Sequence, residues 1–195
     1  MRTVRAVEAR YRQRFRFVPI AGIGGRSQLA GKDTVLLRTA SIADAGAITR
    51  LINVAFQVER FFVDGDRIRL EEVHARFETG SFIIAEDDGG LAGCIYVELH
   101  DDRAYLGLLS VAPERQRSGL GTLLTTAAED FCRANGCRVV DLLIVNLRKE
   151  LPGFYGRLGY VETGTAPFPV EVQTKQPCHF VRMSKVLDGN TARTG

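Results

Sequence analysis

Residues 104–134 constrain the fold of this chain more than any other segment. The run Ala104-Tyr105-Leu106-Gly107-Leu108-Leu109-Ser110-Val111 reads as a strand, Pro113 breaks it, and Gln116-Arg117-Ser118-Gly119-Leu120-Gly121-Thr122 leads directly into a helix. That helix is marked by Leu120, Leu123, Leu124, Ala127, Ala128, Phe131 and Ala134, which fall on one face at helical spacing, and Gly136 supplies its stop. A strand passed through a glycine loop to a helix N-terminus brings unpaired backbone N–H groups and the positive end of a helix dipole to one place, which makes an anion site. Gly119 and Gly121 remove side chains that would hold a phosphate away, Arg115 and Arg117 add positive charge, and the helix has no acidic residue before Glu129. Two nucleotide loops do not fit. A dinucleotide fingerprint needs a third glycine where Leu124 stands, and a Walker loop needs Gly-Lys-Ser/Thr, which is absent.

The flanking sequence alternates strands and helices. Residues 35–38 read as a first strand. Ser41 can cap a helix running through Ala45, Ile48, Leu51, Ile52 and Ala55. The spacing predicts a second helix over 66–77 with Ile68, Leu70, Val73 and Phe77 as its buried face. Strands are expected at 81–86 and 91–99 about the turn Asp87-Asp88-Gly89-Gly90, and again at 104–111. Residues 139–145 form a nearly continuous apolar run, expected of a central strand covered on both faces. A short helix near 151–158, a strand from Tyr160 and a last strand over 179–185 complete the pattern, without internal repeats.

With 195 residues, 45% apolar and 25% charged, the chain fits one domain plus an extension. No apolar stretch approaches the ~18 residues needed to cross a bilayer and no secretory signal begins the chain, so a soluble, cytoplasmic protein without membrane contact is expected. Cys94, Cys132, Cys137 and Cys178 form no C-x-x-C pair and His74, His100 and His179 are isolated, so neither a metal site nor a disulfide framework is expected. Residues 1–33 hold eight Arg/Lys against Glu8 and Asp33, a local +6, which leaves −3 for residues 34–195 out of the overall +3. The basic balance therefore belongs to an N-terminal extension over 1–33, and the domain over 34–187 has no nucleic-acid footprint. Residues 188–195 read as a tail. Within the extension, Val4, Val7, Tyr11, Phe15 and Val18 recur at helical spacing. A mobile tail, a targeting segment and a surface-docking arm are all compatible with such a composition.

The segment Gln116-Arg117-Ser118-Gly119-Leu120-Gly121 resembles the pyrophosphate loop of the Gcn5-related N-acetyltransferase (GNAT) superfamily, whose pattern is Gln/Arg-x-x-Gly-x-Gly/Ala between a strand and a long helix. The resemblance continues through Asn146, at the end of the apolar strand, to Phe154-Tyr155-Gly156-Arg157-Leu158-Gly159-Tyr160, which looks like the family's Phe/Tyr-Tyr-x-x-x-Gly-Phe/Tyr segment. It implies an α/β fold: one GNAT-like domain with a mixed, mostly antiparallel twisted sheet, splayed parallel central strands and about four flanking helices. It also implies acetyl-coenzyme A as co-substrate, with no metal, and a homodimer. The backbone of Leu109 and Val111 would pair with the pantetheine arm, and the amides of Gln116, Arg117, Ser118, Gly119, Leu120, Gly121 and Thr122 would hold the pyrophosphate. Asn146 would hydrogen-bond the pantetheine or the following helix start, or be a simple turn asparagine.

By the same resemblance Tyr155 falls where the family often places its general acid. The alternative is an amphipathic core tyrosine. Some members have a glutamate on the strand before the loop, but residues 104–110 contain no carboxylate. Glu98 on the neighbouring strand is the candidate base. Alternatively none is dedicated, since an α-amino group with a pKa of ~8 is already partly neutral near physiological pH. The expected reaction is direct acetyl transfer to a primary amine of a small molecule or amino acid. A protein N-terminus or lysine remains open as acceptor, and a non-catalytic coenzyme-binding module is the alternative of another class. The acceptor side is expected from 56–66 and 165–176, with Phe61, Phe62 and Phe168 as walls and Glu59, Asp64 and Asp66 as ammonium partners.

Overall fold

A computed structural model of the protein describes the backbone of residues 24–28 and the whole of residues 34–88 and 90–187. The strands are β1 (Gly24–Gln28), β2 (Thr34–Thr39), β3 (Ser81–Asp87), β4 (Gly90–His100), β5 (Arg103–Val111), β6 (Val139–Val145), β7 (Val161–Pro167) and β8 (His179–Val186). The helices are α1 (Ala45–Ala55), α2 (Leu70–Phe77), α3 (Leu120–Ala134) and α4 (Leu151–Arg157). The strands form one sheet in the order β1-β2-β3-β4-β5-β6-β8-β7. Every neighbouring pair is antiparallel except β5 and β6.

The sheet is mixed and mostly antiparallel and carries four α-helices among the described residues, as the sequence implies. Residues 24–28, within the stretch assigned to the extension, pair with β2 as an edge strand. The Arg-rich run and its helical spacing lie outside the described residues, as does the tail over 188–195.

One face of the sheet is covered by α3. Leu120, Leu124, Ala128 and Phe131 pack there with Val35, Ile83, Leu106, Val140 and Ile144. The periodicity of α3 is the physical cause, because those residues form its inward stripe. On the other face α1 and Val73 of α2 cover Phe82, Ile84, Cys94, Tyr96 and Leu108. Since β3 lies between these layers, its first five residues are buried on both faces.

Three local expectations change. The chain after Ser41 turns first through a 3₁₀ segment (Ile42–Asp44), with the Ser41 N–H donating to the Asp44 carboxylate at 2.7 Å, and the α-helix begins at Ala45. The second helix starts at Leu70 and not at residue 66. Asn53 donates to the Ile68 carbonyl at 2.9 Å and accepts the Ile68 N–H at 3.0 Å, which ties up the backbone groups that a helical turn would use. Ile68 is therefore buried ahead of the helix, while Leu70 is 40% exposed. Finally, β6 is not covered on both faces. Val140, Leu142 and Ile144 are buried, but Val139, Asp141 and Leu143 are half-buried. α1 and α2 lie over the β3 to β5 region of that face, so the β6 and β8 portion opens into a cavity.

Candidate active site

The two parallel strands part. They pair only from 103–106 to 139–142, whereas β5 continues along β4 as far as Val111 and β6 continues along β8 as far as Val145. Residues 107–111 and 143–145 thus turn unpaired edges toward each other, and free N–H and C=O groups of this kind recruit an extended partner. The parting coincides with a bulge. Gly107 pairs with Tyr96 and Ser110 with Cys94, so β5 carries an extra residue against β4. Leu108 takes a left-handed φ of 52°, and its carbonyl accepts the Ser110 hydroxyl at 3.0 Å.

At the mouth of this cleft the chain passes through a 3₁₀ turn (Pro113–Arg115) to α3. Arg117 has φ 64° and Gly119 has φ 90°, among residues of ordinary hand. Such alternation turns successive amides toward one concave spot, and the first turn of α3 adds its own unpaired N–H groups. A Cβ placed on Gly121 would meet the Phe154 ring at 3.6 Å and Leu109 at 3.9 Å, both ordinary contacts. The protein's own packing does not demand glycine there. Arg115 donates to Asp87 at 2.6 Å, leaving Arg117 as the exposed cation of the loop. Gln116 donates to the Val111 carbonyl at 3.3 Å and Ser118 to the Arg115 carbonyl at 2.7 Å, so both side chains brace the turn. Leu120 is buried in the core, which leaves its backbone for the cleft, and Thr122 is exposed.

Tyr155 enters from α4. It is 8% exposed and packs edge-on against Phe154 and Tyr160, with ring centroids 4.9 and 5.5 Å away. It lines a narrow pocket of about 100 Å³ together with Leu109, Leu143, Glu59, Arg67 and Arg148. Burial pushes its phenol well above the usual range, against the opposing pull of Arg148, so it stays protonated and able to donate. Asn146 extends the β6 to β8 ladder: its N–H donates to the His179 carbonyl at 3.0 Å and its Oδ1 accepts the His179 N–H at 3.0 Å.

A second cavity, of about 730 Å³, opens over the uncovered face of β6 and β8 and meets the narrow pocket at Tyr105, Leu142 and Leu143. Glu98 lines this larger cavity. It is 7% exposed, accepts the Tyr96 hydroxyl at 2.9 Å and faces His100 Nε2 at 3.3 Å. Of the carboxylates named from sequence on the acceptor side, Asp64 is exposed and paired to Lys175 at 2.8 Å, and Asp66 is exposed. Glu59 alone is buried, and it accepts Arg148 Nη1 at 3.1 Å. Burial raises its carboxyl pKa, while Arg67 and then Arg148 pull the other way. Phe62 is a fully buried core residue stacked edge-on with Phe168, Phe61 is half exposed, and Phe168 lines the larger cavity. The pocket residues not singled out from sequence include Arg67 and Arg148, single arginines in irregular segments with no periodicity to mark them. Among the described residues no group of three His, Cys, Asp or Glu could hold a metal, and no helix is long and apolar enough to cross a membrane.

The fold, a mostly antiparallel sheet whose parallel pair parts beside a glycine loop at a helix start, is shared with a solved structure of the GNAT acetyltransferase class. The chain belongs to the acetyltransferase (GNAT) family, whose model matches residues 47–160. It is 27% identical over 111 residues to "Probable N-acetyltransferase camello" of Xenopus tropicalis, covering 55% of this chain and 51% of that one. It is 28% identical over 152 residues to the uncharacterized N-acetyltransferase YhfO of Bacillus subtilis (strain 168), covering 71% of this chain and 99% of that one. The chain thus spans about half the length of the first relative. Its fold matches the structure of yncA from Salmonella typhimurium with its cofactor acetyl-CoA, at a TM-score of 0.64 and 22% identity over 81% of this chain and 96% of that one.

Proposed function

We propose that the protein is an acetyl-CoA-dependent N-acetyltransferase that moves the acetyl group directly onto a primary amine of a small molecule or amino acid. The observation that carries the reading is the shared pocket of Tyr155 and Leu109 at the point where β5 leaves β6. An acetyl thioester is already activated, so the chain has to align the amine, stabilise the oxyanion and protonate the departing thiolate.

The unpaired edge at Leu109 and Val111 receives the pantetheine arm as a strand receives its neighbour. The amides from Gln116 to Thr122 hold the pyrophosphate, with Arg117 adding charge. Asn146 keeps its Nδ2 for the arm while its Oδ1 holds the His179 N–H. A backbone N–H at the β5 bulge serves the oxyanion, and Tyr155 gives its proton to the thiolate. Two buried carboxylates line the acceptor side. Glu98 lies in the larger cavity, already bound by Tyr96, whereas Glu59 shares the narrow pocket with Tyr155 and takes the acceptor's ammonium and its proton.

Thiol release from acetyl-CoA with a panel of primary amines tests the reading, alongside the shift in melting temperature that acetyl-CoA produces. A ligand that binds only the folded state stabilises it by ~2.7 kcal/mol at a hundred times its Kd. A shift with thiol release supports the enzyme. A shift without release by any amine identifies a coenzyme-binding module, and no shift removes the premise.

A further inference from the structure

Four charged side chains line the narrow pocket: Glu59, Arg67, Arg76 and Arg148. Three guanidiniums against one carboxylate make it electropositive, which disfavours an acceptor that is only cationic. Arg148 is engaged twice, with Glu59 at 3.1 Å and Glu150 at 2.6 Å. Arg76 is buried over the Tyr96 ring, 4.8 Å from its centroid. Arg67 differs. Its guanidinium lies 5.0 Å from the centroid of the Phe56 ring, and its Nε is buried with no hydrogen-bond partner among the described residues.

A buried guanidinium nitrogen left without an acceptor is costly unless a ligand supplies one. The position is also held in advance. Asn53 grips both backbone groups of Ile68, the next residue, and the Phe56 ring supports the plane of the fork. Arg67 and Glu59 line the same narrow pocket, and Arg67 opposes the effect of burial on that carboxyl.

We propose that Arg67 reads a carboxylate on the acceptor, so that the amine acetylated is that of a free amino acid and not of a peptide N-terminus or a polyamine. The inference rests on the acetyltransferase reading and narrows it. In a zwitterion the ammonium and the carboxylate are separated by a single carbon. Glu59 and Arg67 present opposite charges to the one pocket for such a pair, and the planar fork of arginine matches a carboxylate with two parallel N–H donors. Glu59 takes one proton from the ammonium and passes it to solvent, the amine nitrogen bonds the acetyl carbon, the C–S bond breaks as Tyr155 protonates the thiolate, and the second proton lost by the nitrogen restores the Tyr155 phenol through solvent.

The test is thiol release at saturating acetyl-CoA with free α-amino acids and with the α-carboxamides of the same amino acids, compared per unprotonated amine. The wild-type protein should prefer the acids by at least ~10-fold in kcat/KM, the scale of one charged hydrogen bond. Arg67→Gln should lower kcat/KM for the acids by ~10 to 100-fold more than for the amides, mainly through KM, while Arg67→Lys should recover part of the preference. Equal use of acids and amides by the wild type overturns the inference while leaving the acetyltransferase reading intact, and so does an unchanged ratio in Arg67→Gln. Should Arg67→Gln fail to fold, the wild-type ratio decides alone. Absence of thiol release with every amine overturns both.

Discussion

Arg148, just beyond β6, donates from Nη1 to Glu59 Oε1 at 3.1 Å and so ties the connection between α1 and α2 to the far wall of the cleft. The pair is mostly removed from water, and for Glu59 burial outweighs the attraction of Arg67 and Arg148. Its folded pKa therefore lies above the unfolded value of ~4.3. The stability it contributes is fully present below that value and is lost as the pH rises through the folded pKa. Glu59→Gln removes the titration. Its melting temperature relative to wild type should rise as the pH increases from the unfolded value of about 4.3 upward. A relative fall over the same range would mean that the arginines outweigh burial.

Gly121 gives a cleaner test of the coenzyme site than Gly119, because Gly119 adopts φ 90° and any side chain there adds backbone strain. Gly121 has room within the fold, with Phe154 and Leu109 at ordinary contact distance from a prospective Cβ. Gly121→Leu should melt within a few degrees of wild type and show no stabilisation by acetyl-CoA. An undiminished shift would place the pyrophosphate elsewhere.

Glu59 and Glu98 can be separated by kinetics. Glu98 already accepts the Tyr96 hydroxyl at 2.9 Å and lies in the larger cavity, whereas Glu59 lies in the pocket of Tyr155. Glu59→Gln should lower kcat by ~10² to 10⁴, as expected of a positioned base, and Glu98→Gln by less than ~10-fold. The reverse order would transfer the role to Glu98.

What could be read from sequence divides along a physical line. α3 follows a sustained stripe from Leu120 to Ala134, and its observed bounds are Leu120–Ala134. Likewise β6 runs over Val139–Val145, as its apolar run suggests. Both signals are local. The start of α2 depends on Asn53 reaching Ile68 fifteen residues away, a contact that no window of propensity contains. The half-open face of β6 depends on where α1 and α2 stop covering the sheet, because an apolar run reports hydrophobicity and not what lies against it. In the loop from Gln116 to Thr122 the sequence marks one of the two left-handed positions, Gly119, whereas the positive φ of Arg117 carries no residue signal. Arg67 and Arg148 are not, because their role comes from the meeting of two irregular segments with Glu59.

Tyr155 is where chemistry and packing can be told apart. Its ring is held between Phe154 and Tyr160, and Tyr155→Phe keeps that ring, its edge-on contacts and nearly all of its buried area. What it removes is a hydroxyl that burial keeps protonated. Binding a thioester needs no proton donor, whereas expelling a thiolate does. Coenzyme affinity, read from the acetyl-CoA melting shift, should therefore change little, and kcat should fall by ~10² to 10⁴. A group that acts only in the transition state lowers kcat and kcat/KM by the same factor, and that parallel loss is the expected pattern. The variant should also make turnover more dependent on solvent as the proton source, so the deficit should shrink when an acyl-thioester with a more acidic leaving thiol is supplied. Preserved turnover with a reduced melting temperature or a lost coenzyme shift would instead make Tyr155 a packing residue of α4, with the thiolate protonated by water.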